Sequence, residues 1–142
     1  THFNGKLIDK NVRKFLKDSG LDYEHGTGHG VGFYLNVHEG PQAISKYNTI
    51  KIKKGMILSN EPGYYKKNQF GIRIENLIYV CEKNKQLYFE NLTLAPIEKD
   101  LVNFNLLNKT EKKYLFNYHL NVYLKLSKYL SLNERKWLAT FI

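Results

Sequence analysis

The segment His25-Gly26-Thr27-Gly28-His29-Gly30-Val31-Gly32 constrains the fold of this chain more than any other. Its alternating glycines rule out a stable helix, since each costs about 1 kcal/mol relative to alanine in a helix interior. The segment instead reads as a turn or irregular strand that offers imidazoles on tight backbone. Leu35-Asn36-Val37-His38-Glu39-Gly40-Pro41 follows, so His25, His29 and His38 lie close together in the chain. Two carboxylates stand in phrases of their own, Asn60-Glu61-Pro62-Gly63 and Arg73-Ile74-Glu75-Asn76. Imidazole and carboxylate together suit a hard divalent metal ion.

Other chemistries fit less well. Val31 and Phe33 break a G-x-G-x-x-G dinucleotide loop. His25 and His29 have i, i+4 spacing, but no glutamate follows His25 and the glycines forbid the helix that a zincin needs. No G-x-S-x-G elbow occurs, and Cys81 lies in a strand pattern without a neighbouring base. His2 and His119 are read as exposed or structural, with His119 hydrogen-bonded in a packing role.

The periodicity predicts helix, then sheet, then helices. Asn4 caps a helix in which Ile8, Val12, Phe15 and Leu16 recur at helical spacing, and Gly20 ends it. Met56–Asn60 reads as a buried strand after a turn at Gly55. Gly71–Cys81 reads as one long strand with Arg73 and Glu75 on the same side. Asn84 turns it into an antiparallel partner over 87–92. Beyond Pro96, Leu115, Tyr118, Val122, Leu126 and Tyr129 mark a helix entered at Thr110. Ser131 and Glu134 form a capping box for a last helix carrying Trp137, Leu138 and Phe141.

The 142 residues suffice for one domain with a real core. The net charge of +9 raises the question of nucleic acid, yet only three of the 22 basic residues are arginine. The lysines are scattered, with short clusters at Lys51, Lys53 and Lys54 and at Lys66 and Lys67. A solvated surface is therefore favoured over a nucleic-acid site. One cysteine permits no internal disulfide, and no apolar run is long enough for a membrane span. The start, Thr1-His2-Phe3-Asn4-Gly5, is not a signal peptide and lacks methionine, so the chain is read as a piece of a longer one whose upstream signals are out of view.

The histidine and glutamate phrases, in this order, resemble the C-terminal part of the catalytic domain of the X-prolyl aminopeptidase (aminopeptidase P) family, peptidase family M24B. Gly20-Leu21-Asp22-Tyr23, Leu92-Thr93-Leu94-Ala95-Pro96-Ile97 and Asn117-Tyr118-His119-Leu120 extend the likeness. The resemblance implies that His29, Glu61 and Glu75 are metal ligands, with Glu75 bridging two ions and Glu61 also handling a proton. It implies that His25 contacts substrate and that His38 steadies the scissile carbonyl. Arg73 would stand beside the bridging carboxylate without itself touching the ions. Lys17, where relatives tend to carry tryptophan, and Asn60, where an acidic residue is common, depart from the pattern. The family's two aspartate ligands lie upstream of the matching region, and Asp9, Asp18, Asp22 and Asp100 stand in the wrong contexts to replace them.

The fold expected from this resemblance is α+β. Residues 1–97 would form the C-terminal part of a creatinase-like pita-bread fold, a curved antiparallel sheet flanked by helices. Residues 98–142 would form a helical extension packed on it. The parent would be a cytoplasmic, dinuclear-metal hydrolase releasing the N-terminal residue from peptides with proline second. Manganese is the first choice of metal, with zinc and cobalt as alternatives. The expected partners are the X-Pro peptide, the upstream half of the catalytic domain and, in the parent, a second copy forming a homodimer. The segment alone is expected to be inactive and prone to self-association. A non-catalytic pita-bread binding module is the main rival reading, and a basic nucleic-acid-binding domain the weaker one.

Overall fold

A computed structural model describes residues 3–142; His2 lies outside the described residues. One compact unit extends to Thr93 and a second runs from Leu94 to Ile142. The first begins with α1 (Gly5–Lys17), where the Asn4 side chain accepts from the Leu7 N–H at 3.0 Å. Gly20 follows at φ 72°, in the left-handed region, as its place beyond the helix requires. Ile8, Val12 and Leu16 of the apolar stripe on α1 are half-buried, but they are not its most buried face. That face is Gly5, Asp9 and Arg13, while Phe15 is 78% exposed. Packing decides this: a Cβ on Gly5 would lie 1.7 Å from the Ala43 carbonyl oxygen, so this face of the helix sits directly on backbone.

All strand pairs in the first unit are antiparallel. β1 (Gly28–His29) pairs with β2 (Ala43–Ile44). β3 (Ile57–Asn60), β6 (Asn76–Lys83) and β7 (Gln86–Asn91) form a three-stranded sheet with β6 central. β4 (Gly63–Lys66) and β5 (Phe70–Arg73) form a separate hairpin. The long strand expected over 71–81 is thus two strands in two sheets, interrupted at Ile74 and Glu75. The hairpin was not expected, because Tyr64 and Tyr65 after Pro62 carry no alternation to announce it. The β6–β7 turn is as read, with Asn84 and Lys85 both at positive φ. Ile44, Ile52, Leu58, Ile78 and Val80 form the core, with Phe3, Ile8, Met56, Leu87 and Phe89 against it.

In the second unit α2 (Lys109–Leu126) starts at Asn108, not Thr110. The Asn108 side chain accepts from the Thr110 and Glu111 N–H groups, and Glu111 reaches back to complete a capping box. α3 (Leu132–Ala139) carries the expected Ser131–Glu134 box. Tyr118, Val122 and Leu138 form the core, while Tyr129 and Trp137 are more exposed than the periodicity suggested. His119 is buried and its Nε2 accepts the Ile97 N–H at 3.0 Å, the packing role read from its surroundings. Burial holds its pKa below the ordinary histidine value.

Candidate metal centre

Strand pairing brings the histidine and glutamate phrases together. β1 places His29 beside β3, through the Gly30–Leu58 bridge and a His29 N–H that donates to Ser59 Oγ at 2.9 Å. Glu61 follows β3 immediately, and its N–H donates to the Thr27 carbonyl at 2.8 Å. Glu75 lies in the interruption between β5 and β6. One ligand atom from each of His29, Glu61 and Glu75 lies within 4.8 Å of the others.

The donor chemistry fits a cation. His29 Nδ1 is 2.9 Å from the Gly30 carbonyl, which can only accept, so Nδ1 carries the proton and Nε2 presents a lone pair. Nε2 faces Glu61 Oε1 at 3.4 Å. A proton or a metal ion between them satisfies both, and a third oxygen donor from Glu75 favours the metal. Ser59 donates to Glu61 Oε1 at 3.0 Å and Arg73 Nη1 to Oε2 at 2.9 Å, which orients the carboxylate while each oxygen keeps a lone pair.

Arg73 lies within electrostatic reach of Glu75, and its hydrogen bonds go to Glu61 and Tyr65. Besides Glu61, its Nε donates to the Tyr65 hydroxyl at 2.8 Å. The bond to Tyr65 is the main cause that raises the Arg73 pKa. Tyr65 in turn sits 2.8 Å from His25 Nε2, and His25 Nδ1 is 2.7 Å from the Gly26 carbonyl. Nδ1 therefore holds the proton and the Tyr65 hydroxyl donates to Nε2. His38 reaches the centre through the loop after β1, with its ring centroid 4.2 Å from that of His29.

Ser59 and Tyr65 were not singled out from sequence. The period of two along a strand is the signal for Ser59, because it shares a side with Glu61. Tyr65 had no such signal, since its contact depends on the hairpin closing.

Comparison with known proteins places the chain in a family. Residues 2–82 match the model for metallopeptidase family M24, and residues 85–140 match a model for the C-terminal region of peptidase M24. A probable Xaa-Pro aminopeptidase P of Coprinopsis cinerea is 47% identical over 94% of this chain, which covers 24% of that relative. The structure of an X-prolyl aminopeptidase from Caenorhabditis elegans, described as a cytosolic enzyme with a di-nuclear active site, superposes with a TM-score of 0.89 at 40% identity. It covers 98% of this chain and 24% of its own. Prolidase from Pyrococcus furiosus matches with a TM-score of 0.57 at 33% identity, over 64% of this chain and 26% of its own. The chain thus spans about a quarter of the length of the relatives it matches. Its antiparallel sheets and flanking helices agree with the pita-bread fold of these creatinase-like enzymes. The chain belongs to metallopeptidase family M24.

Proposed function

We propose that this chain is the C-terminal part of the catalytic domain of a cytoplasmic dinuclear-metal aminopeptidase that releases the first residue of X-Pro peptides. The observation that carries this reading is the convergence of His29, Glu61 and Glu75. The match over 98% of this chain to a di-nuclear X-prolyl aminopeptidase supports it. Residues 1–97 belong to the catalytic domain and 98–142 form its helical extension. His29, Glu61 and Glu75 hold the ions, manganese first, together with two aspartates from the upstream half. Bound divalent ions supply Lewis acidity toward the scissile carbonyl and toward water.

The remaining chemistry is that of the side chains. Glu61 takes the proton of the attacking water on its free lone pair and passes it toward the leaving amine. His38 donates to the carbonyl oxygen as negative charge develops there; removing such a donor costs about 2.7 to 4 kcal/mol of transition-state stabilisation. His25, its nitrogens engaged by Gly26 and Tyr65, holds the proline side of the peptide through its ring. Arg73 orients Glu61 through its hydrogen bond to Oε2.

The test uses the full-length polypeptide with manganese and an X-Pro peptide. Release of the first residue, abolished by His29→Ala, is expected. A folded protein that is inactive with manganese, zinc and cobalt would instead point to a non-catalytic binding module.

A further inference from the structure

The metal centre rests on a second, wholly buried polar cluster. Asp9, Arg13 and Thr27 are 1%, 6% and 0% exposed. Arg13 uses its fork in every direction: Nε donates to Asp9 Oδ2 at 2.9 Å, Nη1 to Asp22 Oδ1 at 2.7 Å and to the Tyr23 carbonyl at 2.6 Å, and Nη2 to the His25 carbonyl at 2.5 Å. Thr27 donates its only hydroxyl proton to Asp9 Oδ1 at 2.6 Å, so the Tyr23 hydroxyl must donate to Thr27 Oγ1, 2.5 Å away. The Tyr23 ring lies 4.0 Å from the Arg13 guanidinium and 4.8 Å from the His25 ring.

Two paths lead from this cluster to the site. Arg13 grips the main chain of His25 itself. Asp9 holds Thr27, whose carbonyl takes the Glu61 N–H at 2.8 Å. A buried ion pair is a poor source of stability, since desolvation offsets the attraction and apolar replacements often do as well. What it supplies is a fixed geometry, and the geometry here is that of two site residues.

We propose that Asp9 and Arg13 are positioning residues, which hold the backbone from Tyr23 to Thr27 so that His25 and Glu61 meet at the metal centre. The proposal rests on the aminopeptidase reading above. Lysine in place of Arg13 keeps the charge but is a point donor that cannot reach Asp9, Tyr23 and His25 together. Thr27→Val keeps the shape and breaks the link to Asp9, while Thr27→Ser restores the hydroxyl.

The experiment takes the full-length protein and measures kcat and KM for an X-Pro peptide, Mn2+ affinity and thermal unfolding. Arg13→Lys should lower kcat/KM on the order of 10- to 100-fold. Because one of its two paths runs through His25, its loss should be clearly smaller in a His25→Ala background than in the wild type. Thr27→Val should weaken Mn2+ binding and Thr27→Ser should recover it, an arm that stands if Arg13→Lys does not fold. Independent, multiplying losses for Arg13→Lys and His25→Ala, or Mn2+ affinity unmoved in a folded Thr27→Val, would overturn the proposal. A wild-type protein that neither cleaves X-Pro peptide nor binds Mn2+ would refute the aminopeptidase reading itself, and the proposal with it.

Discussion

Replacing Gly28 with alanine adds one methyl group where two strands touch. A Cβ there would lie 2.0 Å from the Ser59 carbonyl oxygen and 2.9 Å from its carbonyl carbon. Both atoms are main chain, so no side-chain rotation relieves the clash. Reaching 3.0 Å, below which Cβ contacts essentially do not occur, requires β1 and β3 to part by about 1 Å. That movement stretches the His29 N–Ser59 Oγ bond of 2.9 Å and the Glu61 N–Thr27 O bond of 2.8 Å, carrying His29 and Glu61 apart. Overpacking of this kind costs about 1 to 3 kcal/mol of stability. A misplacement of ~1 Å at a reacting centre lowers the rate about 100-fold, or roughly 2.7 kcal/mol of barrier. The assay is manganese-dependent cleavage of an X-Pro peptide by the full-length protein, with Mn2+ titration and denaturant unfolding alongside. A Gly28→Ala protein as stable as wild type and within twofold of its kcat/KM would refute the argument that this close approach places His29.

Three further expectations follow from named contacts. Ser59→Ala leaves the half-buried His29 N–H without its acceptor and Glu61 Oε1 without its donor; denaturant unfolding should show a loss of about 1 to 3 kcal/mol, and Ser59→Thr should lose less. Burial holds the His119 pKa below 6.5, so the unfolded chain takes up the proton first and stability should fall as pH drops through and below that value. Denaturant midpoints read at stepped pH should show this slope, and His119→Leu should flatten it while lowering stability by orphaning the Ile97 N–H. The isolated 142-residue chain should bind Mn2+ weakly and show no turnover. With Phe33 88% and Leu35 92% exposed, it should also self-associate in sedimentation velocity; a monodisperse, active fragment would contradict both expectations.

Much of the site was legible because its chemistry is carried by short phrases with little freedom. The Gly28-His29-Gly30 pattern announced tight backbone under an imidazole, and the structure makes it a two-residue strand wedged against β3. The caps of α1 and α3 were legible for the same local reason, since a side chain and an N–H two or three residues away decide them. The entry of α2 was misread by two residues because Thr110 and Asn108 are both competent caps, and only Asn108 has glutamate at the right offset. The break at Ile74 and Glu75 was not legible. Alternation of Ile72 and Ile74 with Arg73 and Glu75 satisfies a single strand, and nothing local says that β5 and β6 pair with different neighbours.

By itself the sequence determined the inventory of the candidate site: which imidazoles and carboxylates are offered, and on what backbone. It also determined the local elements, whose hydrogen bonds close within a few residues. Only the tertiary structure decided which partner each charge meets. Arg73 bonds Glu61 and Tyr65, and on α1 the polar Asp9 and Arg13 are buried more deeply than the apolar Ile8, Val12 and Leu16. Periodicity reports hydrophobicity along one element, whereas a buried polar group is stable only if a distant acceptor or donor completes it, and that partner is known only once the chain has folded.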